Sequence, residues 1–288
     1  MKIAVLSDVH SNYFALEACL KEAEARGCEV YLFLGDYVSD CAYPEKTLAL
    51  LYDWRENHTC HFLRGNREEY MLNHRAGGES HWGPGSESGS LYYTYNHLTE
   101  KDLDWFAGLP NCLRVELPGC PAILCCHGSP EKTNGVLKPN HPETWEVLKS
   151  VEEPIVLHGH HHHQWGFFAH DKWVMNAGSV GVNVGKAQRA CFLMLTCKNG
   201  QVKAEHLQIP YNVQGAVEEL YTSGLSEIAP VWAAAIRKFL LTGENASGEV
   251  FKKAHELHKL DTGKDGFADE KYWLRAAEEL NISLERRT

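Results

Sequence analysis

The chain has 288 residues, of which 44% are hydrophobic, and it contains no apolar stretch approaching the roughly 20 residues required to cross a bilayer. This size indicates one large domain, or one domain with an appendage. The lack of a long apolar stretch excludes a protein built around membrane spans. The formal net charge of -10 disfavours broad attraction to nucleic acid or to an anionic membrane, so an anionic substrate would need a local positive centre.

The first half of the chain alternates predicted strands with predicted helices. The apolar run Lys2–Leu6 is followed by helical spacing over residues 11–25 and by a second apolar run within residues 30–40. Pro44–Asn57 then repeats the helical spacing. Such alternation is typical of a largely parallel sheet with right-handed crossovers. Residues 76–89 are rich in Gly, Ser and Glu and predict a long loop, which either faces a substrate or is an ordinary surface loop.

The second half predicts more strands and then helices. Four runs after Trp165 predict a second sheet of mostly antiparallel strands that packs on the first: residues 166–170, 172–175, 190–196 and 202–207. Beyond Pro210 the spacing becomes helical. We therefore expect a domain over residues 1–210 and a helical extension over residues 211–288.

The N-terminus and the cysteines indicate the compartment. The N-terminal residues enter a predicted strand directly and lack the segments of a signal peptide, so we expect a cytoplasmic protein. The 10 cysteines form no Cys-x-x-Cys pair, and most lie in apolar runs, which favours reduced thiols in the core. The thiols in such runs are Cys60, Cys125, Cys126, Cys191 and Cys197.

Five apolar runs end in residue types that bind metals. These residues are Asp8 and His10, Asp36, Asn66, His127, and His160 with His162. In open α/β sheets, ligands bind just outside the carboxyl ends of the strands, which makes each of these side chains a functional candidate. Taken singly, an Asp-x-His, Gly-Asp or Gly-Asn sequence is more often a turn or a cap. Five such signals at five strand ends are difficult to explain as unrelated turns.

The donor types indicate the kind of metal. Oxygen and imidazole ligands without a thiolate suit Mn, Fe, Zn or Ni better than a structural zinc site. In an extended segment residues two apart point the same way, so we expect His160 and His162 to face one site while His161 and His163 face away. The same geometry lets Asp8 and His10 converge on one ion.

These motifs together resemble the calcineurin-like metallophosphoesterase superfamily, in particular its small bacterial and archaeal phosphodiesterases. The matching segments are Asp8-Val9-His10, Gly35-Asp36, Gly65-Asn66, His127-Gly128 and Gly159-His160-His161-His162. The resemblance implies a four-layer α/β/β/α sandwich, here with a C-terminal helical appendage. It also implies two divalent transition-metal ions, one held by Asp8, His10, Asp36 and His162, the other by Asp36, Asn66, His127 and His160.

The resemblance further implies a binuclear phosphoesterase. A hydroxide that bridges the two ions would attack a phosphodiester or a nucleotide-type phosphoester, with Asp36, Asn66, Arg67 and His127 as catalytic residues. Arg67 stands where most of the family carries a histidine near the leaving group. It either clamps phosphate oxygens or pairs with a surface acid such as Glu68 or Glu69. The arginine that follows Gly-Asp in protein Ser/Thr phosphatases is absent, which argues against that class.

Two other functional classes remain open at this point. One is a dinucleoside polyphosphate hydrolase or a nuclease, for which Trp82, Tyr92, Tyr93 and Tyr95 could stack on a base, although aromatic residues at this density more often complete a core. The other is a catalytically inactive metal-binding scaffold, because fold does not determine function. We expect a small phosphoester as the partner and no membrane; neither the physiological substrate nor the oligomeric state follows from the sequence.

Overall fold

The structure, a computed structural model, describes residues 1–78 and 81–285, and within them ten strands and eleven helices. The strands are β1 (Lys2–Leu6), β2 (Val30–Phe33), β3 (Thr59–Phe62), β4 (Cys112–Val115), β5 (Ile123–Cys126), β6 (Ile155–His158), β7 (Gln164–Ala169), β8 (Lys172–Ala177), β9 (Arg189–Lys198) and β10 (Gln201–Pro210). The helices are α1 (Tyr13–Ala25), α2 (Pro44–Asn57), α3 (Asn66–Arg75), α4 (Gly89–Asn96), α5 (Glu100–Gly108), α6 (Pro142–Ser150), α7 (Val213–Thr222), α8 (Leu225–Ile228), α9 (Pro230–Thr242), α10 (Ala246–Thr262) and α11 (Glu270–Glu279). The loop predicted over residues 76–89 includes residues 79 and 80, which lie outside the described residues.

The strands form two five-stranded sheets, with the orders β10-β9-β1-β2-β3 and β4-β5-β6-β8-β7. In the first sheet β1, β2 and β3 are parallel, and in the second β5, β6 and β8 are parallel. The carboxyl ends of the parallel strands within each sheet therefore lie along one edge.

The prediction that all strands after Trp165 build the second sheet is wrong for β9 and β10. Strand β9 pairs antiparallel with β1, with Lys2 opposite Thr196, and β10 pairs with β9. The physical reason is burial: β9 is apolar on both faces and fits between two neighbours rather than on an exposed side. Strands β7 and β8 do join the second sheet.

The two sheets pack face to face, and helices cover their outer sides. Ile3 and Leu32 of the first sheet share one buried cluster with Ile123 and Leu157 of the second. On the opposite side of the first sheet, α1, α2 and α5 contribute Leu16, Leu48 and Phe106 to a second cluster, whereas α6 covers the second sheet. The predicted α/β/β/α sandwich is confirmed.

The C-terminal part is helical, as expected. Helices α7 to α9 share a buried cluster with Cys41, Tyr93 and Val182 of the sandwich, and α9, α10 and α11 enclose a further cluster that contains Trp273. The boundary at residue 210 stays a prediction. Among the described residues, no helix is both long and apolar enough to span a membrane.

One cysteine departs from the expected reduced state. Cys197 is joined to Cys120 in a disulfide, so the prediction of a reduced core thiol is wrong at this position. The approach of two turns explains it, since the amide of Gly200 donates to the carbonyl of Gly119 and brings the end of β9 beside the turn before β5. The other four thiols singled out from the sequence are free.

Candidate metal centre

All eight candidate residues lie together at the carboxyl edge of the two sheets. Asp8 and His10 follow β1, Asp36 follows β2, Asn66 and Arg67 open α3 after β3, His127 follows β5, and His160 and His162 follow β6. Local topology explains the convergence, because each parallel strand delivers its next residues to the same edge.

The first group consists of Asp8, His10 and His162. The Nε2 atoms of His10 and His162 are 3.0 Å apart, and His162 Nε2 lies 3.2 Å from Oδ1 of Asp8. His10 Nε2 is 3.8 Å from that same oxygen. Two imidazole nitrogens and a carboxylate oxygen thus face a common point, which is an arrangement that one divalent ion can use.

The second group consists of Asp8, Asp36 and His127. His127 Nε2 lies 3.3 Å from Oδ2 of Asp36, 3.8 Å from Oδ1 of Asp8 and 3.1 Å from Oδ1 of Asn66. The His160 ring lies 5.3 Å from the His127 ring. Both groups contain Asp8, whereas the resemblance names Asp36 as the shared ligand, so the bridging role of Asp36 stays a prediction.

An ion pair and a hydrogen bond behind the cluster orient two of the imidazoles. His10 Nδ1 lies 3.0 Å from Oδ2 of Asp40, and His127 Nδ1 lies 2.6 Å from the carbonyl oxygen of Leu34. A ring that donates through Nδ1 leaves the lone pair of Nε2 free for a ligand. In both rings Nε2 is the atom directed at the carboxylates, as metal binding requires.

The charge balance of the cluster also fits cations. Asp8, Asp36 and Asp40 are almost completely buried, and buried carboxylates are costly unless they are paired. Burial alone lowers the pKa of His10, yet Asp40 and the other two carboxylates raise it to about 10. Burial likewise lowers the pKa of His127, but the nearby carboxylates, chiefly Asp36, raise it to about 9. The site thus draws positive charge to its imidazoles, and divalent ions can displace those protons.

The backbone at the ligands differs from the extended geometry assumed above. Five of the candidates have positive φ angles: Asp8 (56°), His10 (50°), Asp36 (55°), His160 (66°) and His162 (56°). Positive φ is uncommon for residues other than glycine and concentrates at functional sites. The side chains converge as expected, but the two-residue alternation of an extended strand is the wrong explanation. Tight turns with a left-handed backbone conformation place these side chains.

The glycine before Asn66 permits a close approach of two loops. A Cβ atom on Gly65 would overlap the carboxylate of Asp36, so the loop after β3 reaches that side chain only as glycine. The amide of Arg67 then donates to Oδ1 of Asp36 at 2.8 Å, which fixes the carboxylate with Oδ2 facing the histidines.

Glu68 is a functional residue that the sequence reasoning missed. Its buried carboxylate accepts hydrogen bonds from the amides of Asp36 (2.9 Å), Tyr37 (2.8 Å) and Gly65 (2.8 Å), and so ties the two loops together. Burial, followed by repulsion from Asp36, raises the pKa of Glu68 to about 7. The available signal was an acid three residues after the residue that precedes α3, the position of a capping box.

Asp40 was also missed, and it explains how Arg67 is held. Arg67 Nη2 donates to Oδ2 of Asp40 at 3.2 Å, which is the oxygen that faces His10. The Arg67 side chain is only 20% exposed, and its Nε has no hydrogen-bond partner among the described residues. A weak pair with Glu68 or Glu69 on the surface is thus not the state of Arg67. The one sequence signal for Asp40 was its position four residues after Asp36.

Two histidines of the run lie at the cluster, and the other two lie beside a neighbouring tryptophan. The amide of His160 donates to the Asp8 carboxylate at 3.0 Å, and burial lowers the pKa of His160 to about 4, which keeps its ring neutral. The rings of His161 and His163 instead lie 5.5 and 5.8 Å from the ring of Trp165.

Similar proteins agree with this architecture. An uncharacterized protein of Methanocaldococcus jannaschii is 24% identical over 249 residues, which cover 78% of this chain and 94% of that protein. A hypothetical protein of Pyrococcus horikoshii has a TM-score of 0.71 and 20% identity, over 84% of this chain and 98% of that one. A metallophosphoesterase of Sphaerobacter thermophilus has a TM-score of 0.65 and 21% identity, over 84% and 99% of the two chains. At these identities the two structures show the fold alone.

The family follows from a match to the N-terminal part of the chain. Residues 1–185 match the family model described as calcineurin-like phosphoesterase, and this segment contains all eight candidate residues. Since the match spans more than half of the sequence, the chain belongs to the calcineurin-like phosphoesterase family.

Proposed function

We propose that this protein is a metal-dependent hydrolase of a phosphodiester or a nucleotide-type phosphoester. The observation that carries the proposal is the convergence of three imidazole Nε2 atoms on the carboxylates of Asp8 and Asp36 beside a cavity of about 860 Å³. Family membership supports the same class of reaction.

The ligand set that we propose is the one implied by the family resemblance, in which Asp36 would be a ligand of both ions. Two divalent ions, when bound, would offset the charge of the phosphoester and would act as Lewis acids that lower the pKa of bound water toward about 7. The chain's part is positional. Asp40 and the Leu34 carbonyl orient His10 and His127, while the Arg67 amide orients Asp36.

Arg67 is the chain's own positive charge at the cavity. Its guanidinium lines the cavity beside Asp36 and Asn66, and it stays charged at ordinary pH. Nη2 is held on Asp40, and Nε is buried without a hydrogen-bond partner among the described residues. We propose that Arg67 stabilises the charge that develops on the phosphoryl oxygens and that it does not protonate the leaving group.

The test is a panel of phosphoesters with the purified protein, with and without Mn, Fe, Zn or Ni. The panel contains p-nitrophenyl phosphomonoesters and phosphodiesters, cyclic nucleotides, dinucleoside polyphosphates and single-stranded DNA. We expect metal-dependent hydrolysis of small diesters or nucleotide esters that chelation removes. Stoichiometric metal binding without hydrolysis of any member would instead indicate a scaffold, and preferred cleavage of DNA would indicate a nuclease.

Arg67 is expected to favour esters whose leaving group departs without a proton. Replacing Arg67 by Ala should lower kcat/KM by about 10²-fold across aryl esters of graded leaving-group pKa, the cost typical of one lost donor to developing charge. Arg67→His should recover activity selectively on the esters with a high leaving-group pKa, since imidazole can donate a proton.

A matched control for this series is Arg75→Ala. Arg75 lies on the same helix, but its Nη1 pairs with the exposed acids Glu100 and Asp104. The Arg75→Ala variant should have the same kcat/KM as wild type for every ester of the series. If both Arg67 variants also match wild type, Arg67 has no role in the reaction.

A further inference from the structure

The cavity beside the metal centre extends well beyond the ligands. At about 860 Å³ it lies in the range of pockets that enclose whole organic ligands, roughly 300–1,000 Å³. A water molecule takes up about 30 Å³, and a phosphate group fills only a few times that volume. Most of the cavity is therefore available to the rest of a substrate.

The two ends of the cavity differ in polarity. The sandwich contributes the charged end, with His10, Asp36 and Arg67. The far end includes side chains of the C-terminal helices α9 and α10. Its apolar residues are Leu91, Val182, Val184, Trp232, Phe239 and Phe251, and the polar residues Glu87, Ser88, Asn245 and Ser247 line the cavity beside them. A phosphoester held at the ions would meet this end with its organic group.

Two aromatic residues at the far end keep part of their surface outside the core. Phe251 lines the cavity, is 42% exposed and stacks on the ring of His255 at 4.3 Å. Trp232 also lines the cavity, is partly exposed, and its Nε1 has no hydrogen-bond partner in the described part of the chain. By contrast, Tyr93, an aromatic residue singled out from the sequence, is buried in a core cluster.

The far end is fixed to the sandwich by partly buried polar contacts. Oε2 of Glu87 accepts from Nε1 of Trp273 at 3.0 Å and lies 3.0 Å from Nε2 of His255. Ser86 Oγ donates to Oε1 of Glu270 at 2.7 Å. These contacts join the segment before α4, which itself lines the cavity, to α10 and α11, and so fix the far end relative to the sandwich.

We infer that helices α9 and α10 form the recognition wall for the organic group of the substrate, and that this group is an aromatic ring held against Trp232 and Phe251. The substrate class is then an aryl or nucleobase-bearing phosphoester rather than a small alkyl phosphate. This inference rests on the proposed function for the placement of the phosphoryl group at the metal centre. Offset or edge contacts between rings favour an aromatic group over a saturated one of the same size.

The experiment measures binding of three non-hydrolysable probes to metal-loaded full-length protein: methylphosphonate, cyclohexylphosphonate and phenylphosphonate. Titration calorimetry should give a Kd for phenylphosphonate about tenfold below that for methylphosphonate, with cyclohexylphosphonate between them. Phe251→Ala and Trp232→Ala should each bring the phenyl to methyl ratio close to one while the Kd for methylphosphonate stays within about twofold.

Two exposed aromatic residues outside the cavity provide matched controls. Phe168→Ala and Trp173→Ala remove rings that are 57% and 52% exposed on β7 and β8 and should leave all three Kd values unchanged. Because Trp232 packs against two core clusters, its variant is first compared with wild type by circular dichroism. Phe251 is more exposed and keeps the test open if the Trp232 variant does not fold.

Each outcome supports or contradicts the aromatic wall, the proposed hydrolase, or both. Equal binding of the three probes, or unchanged ratios in both wall variants, overturns the aromatic wall even if the protein hydrolyses esters. Equal affinity for cyclohexylphosphonate and phenylphosphonate overturns the aromatic requirement. Selective phenylphosphonate binding without hydrolysis of any ester supports the wall and contradicts the proposed hydrolase. Failure of the metal-loaded protein to bind any probe contradicts both.

Discussion

Asp36→Asn is expected to lower kcat/KM by on the order of 10³-fold or more and to reduce bound metal from close to two ions per chain to one or fewer. Loss of an outer partner of a ligand typically costs about 10–100-fold, and loss of a ligand's charge should cost more. Oδ2 of Asp36 lies 3.3 Å from Nε2 of His127 and 3.7 Å from Nε2 of His10, between the two groups. The asparagine keeps the shape of the side chain but removes its charge.

Metal content by mass spectrometry, measured beside kcat/KM, separates Asp36 from its rival Asp8. If Asp36 is the shared ligand, Asp36→Asn should lose more metal than Asp8→Asn. The reverse order would make Asp8 the shared ligand, in keeping with its place in both groups. Asp104→Asn is the control, since Asp104 is 76% exposed and, among the described residues, pairs at the surface with Arg75. Wild-type metal content in Asp36→Asn would contradict the binuclear proposal.

The sequence was sufficient to predict the alternation of strands and helices and the edge at which the candidates meet, whereas the four-layer sandwich was implied by the family resemblance. The first two follow from local information: short apolar runs, helical spacing between them, and the common edge that parallel strands share. The polar residues after β1, β2, β3, β5 and β6 lie close together because chain direction alone places them there. Long-range pairing is different. The apolar run of β9 predicts a strand buried between two neighbours, but it does not indicate whether those neighbours belong to the first or the second sheet.

The supporting residues were missed for a related reason. Glu68 and Asp40 act through contacts across loops, and neither lies in a motif that carries chemistry by itself. The same holds for the wall of the cavity. Trp232 and Phe251 lie in helical apolar patterns that are indistinguishable from core positions until the fold shows one face open to the cavity. Patterns of spacing predict which face is apolar, but not whether another element covers it.

The last prediction concerns the histidine run. Removing the His160 or the His162 side chain should lower kcat/KM to about a thousandth of wild type or less, while His163→Ala should stay within about twofold. His162 Nε2 lies 3.2 Å from the Asp8 carboxylate and 3.0 Å from His10 Nε2. His163 is exposed and has its Nδ1 on the carbonyl of His161 rather than on a carboxylate of the cluster.

The design must separate loss of the imidazole from strain in the backbone. His160 and His162 have φ angles of 66° and 56°, a conformation that alanine adopts at a cost and glycine adopts freely. Each residue is therefore replaced by both Ala and Gly, with His163→Ala and His163→Gly as controls, and activity and bound metal are measured together. If the imidazole is what matters, the Ala and Gly variants at one position lose activity and metal equally. Restored metal and activity in His162→Gly would assign the loss in His162→Ala to the backbone. A large effect at His163 with little at His162 would show that the run faces the ions in the opposite register.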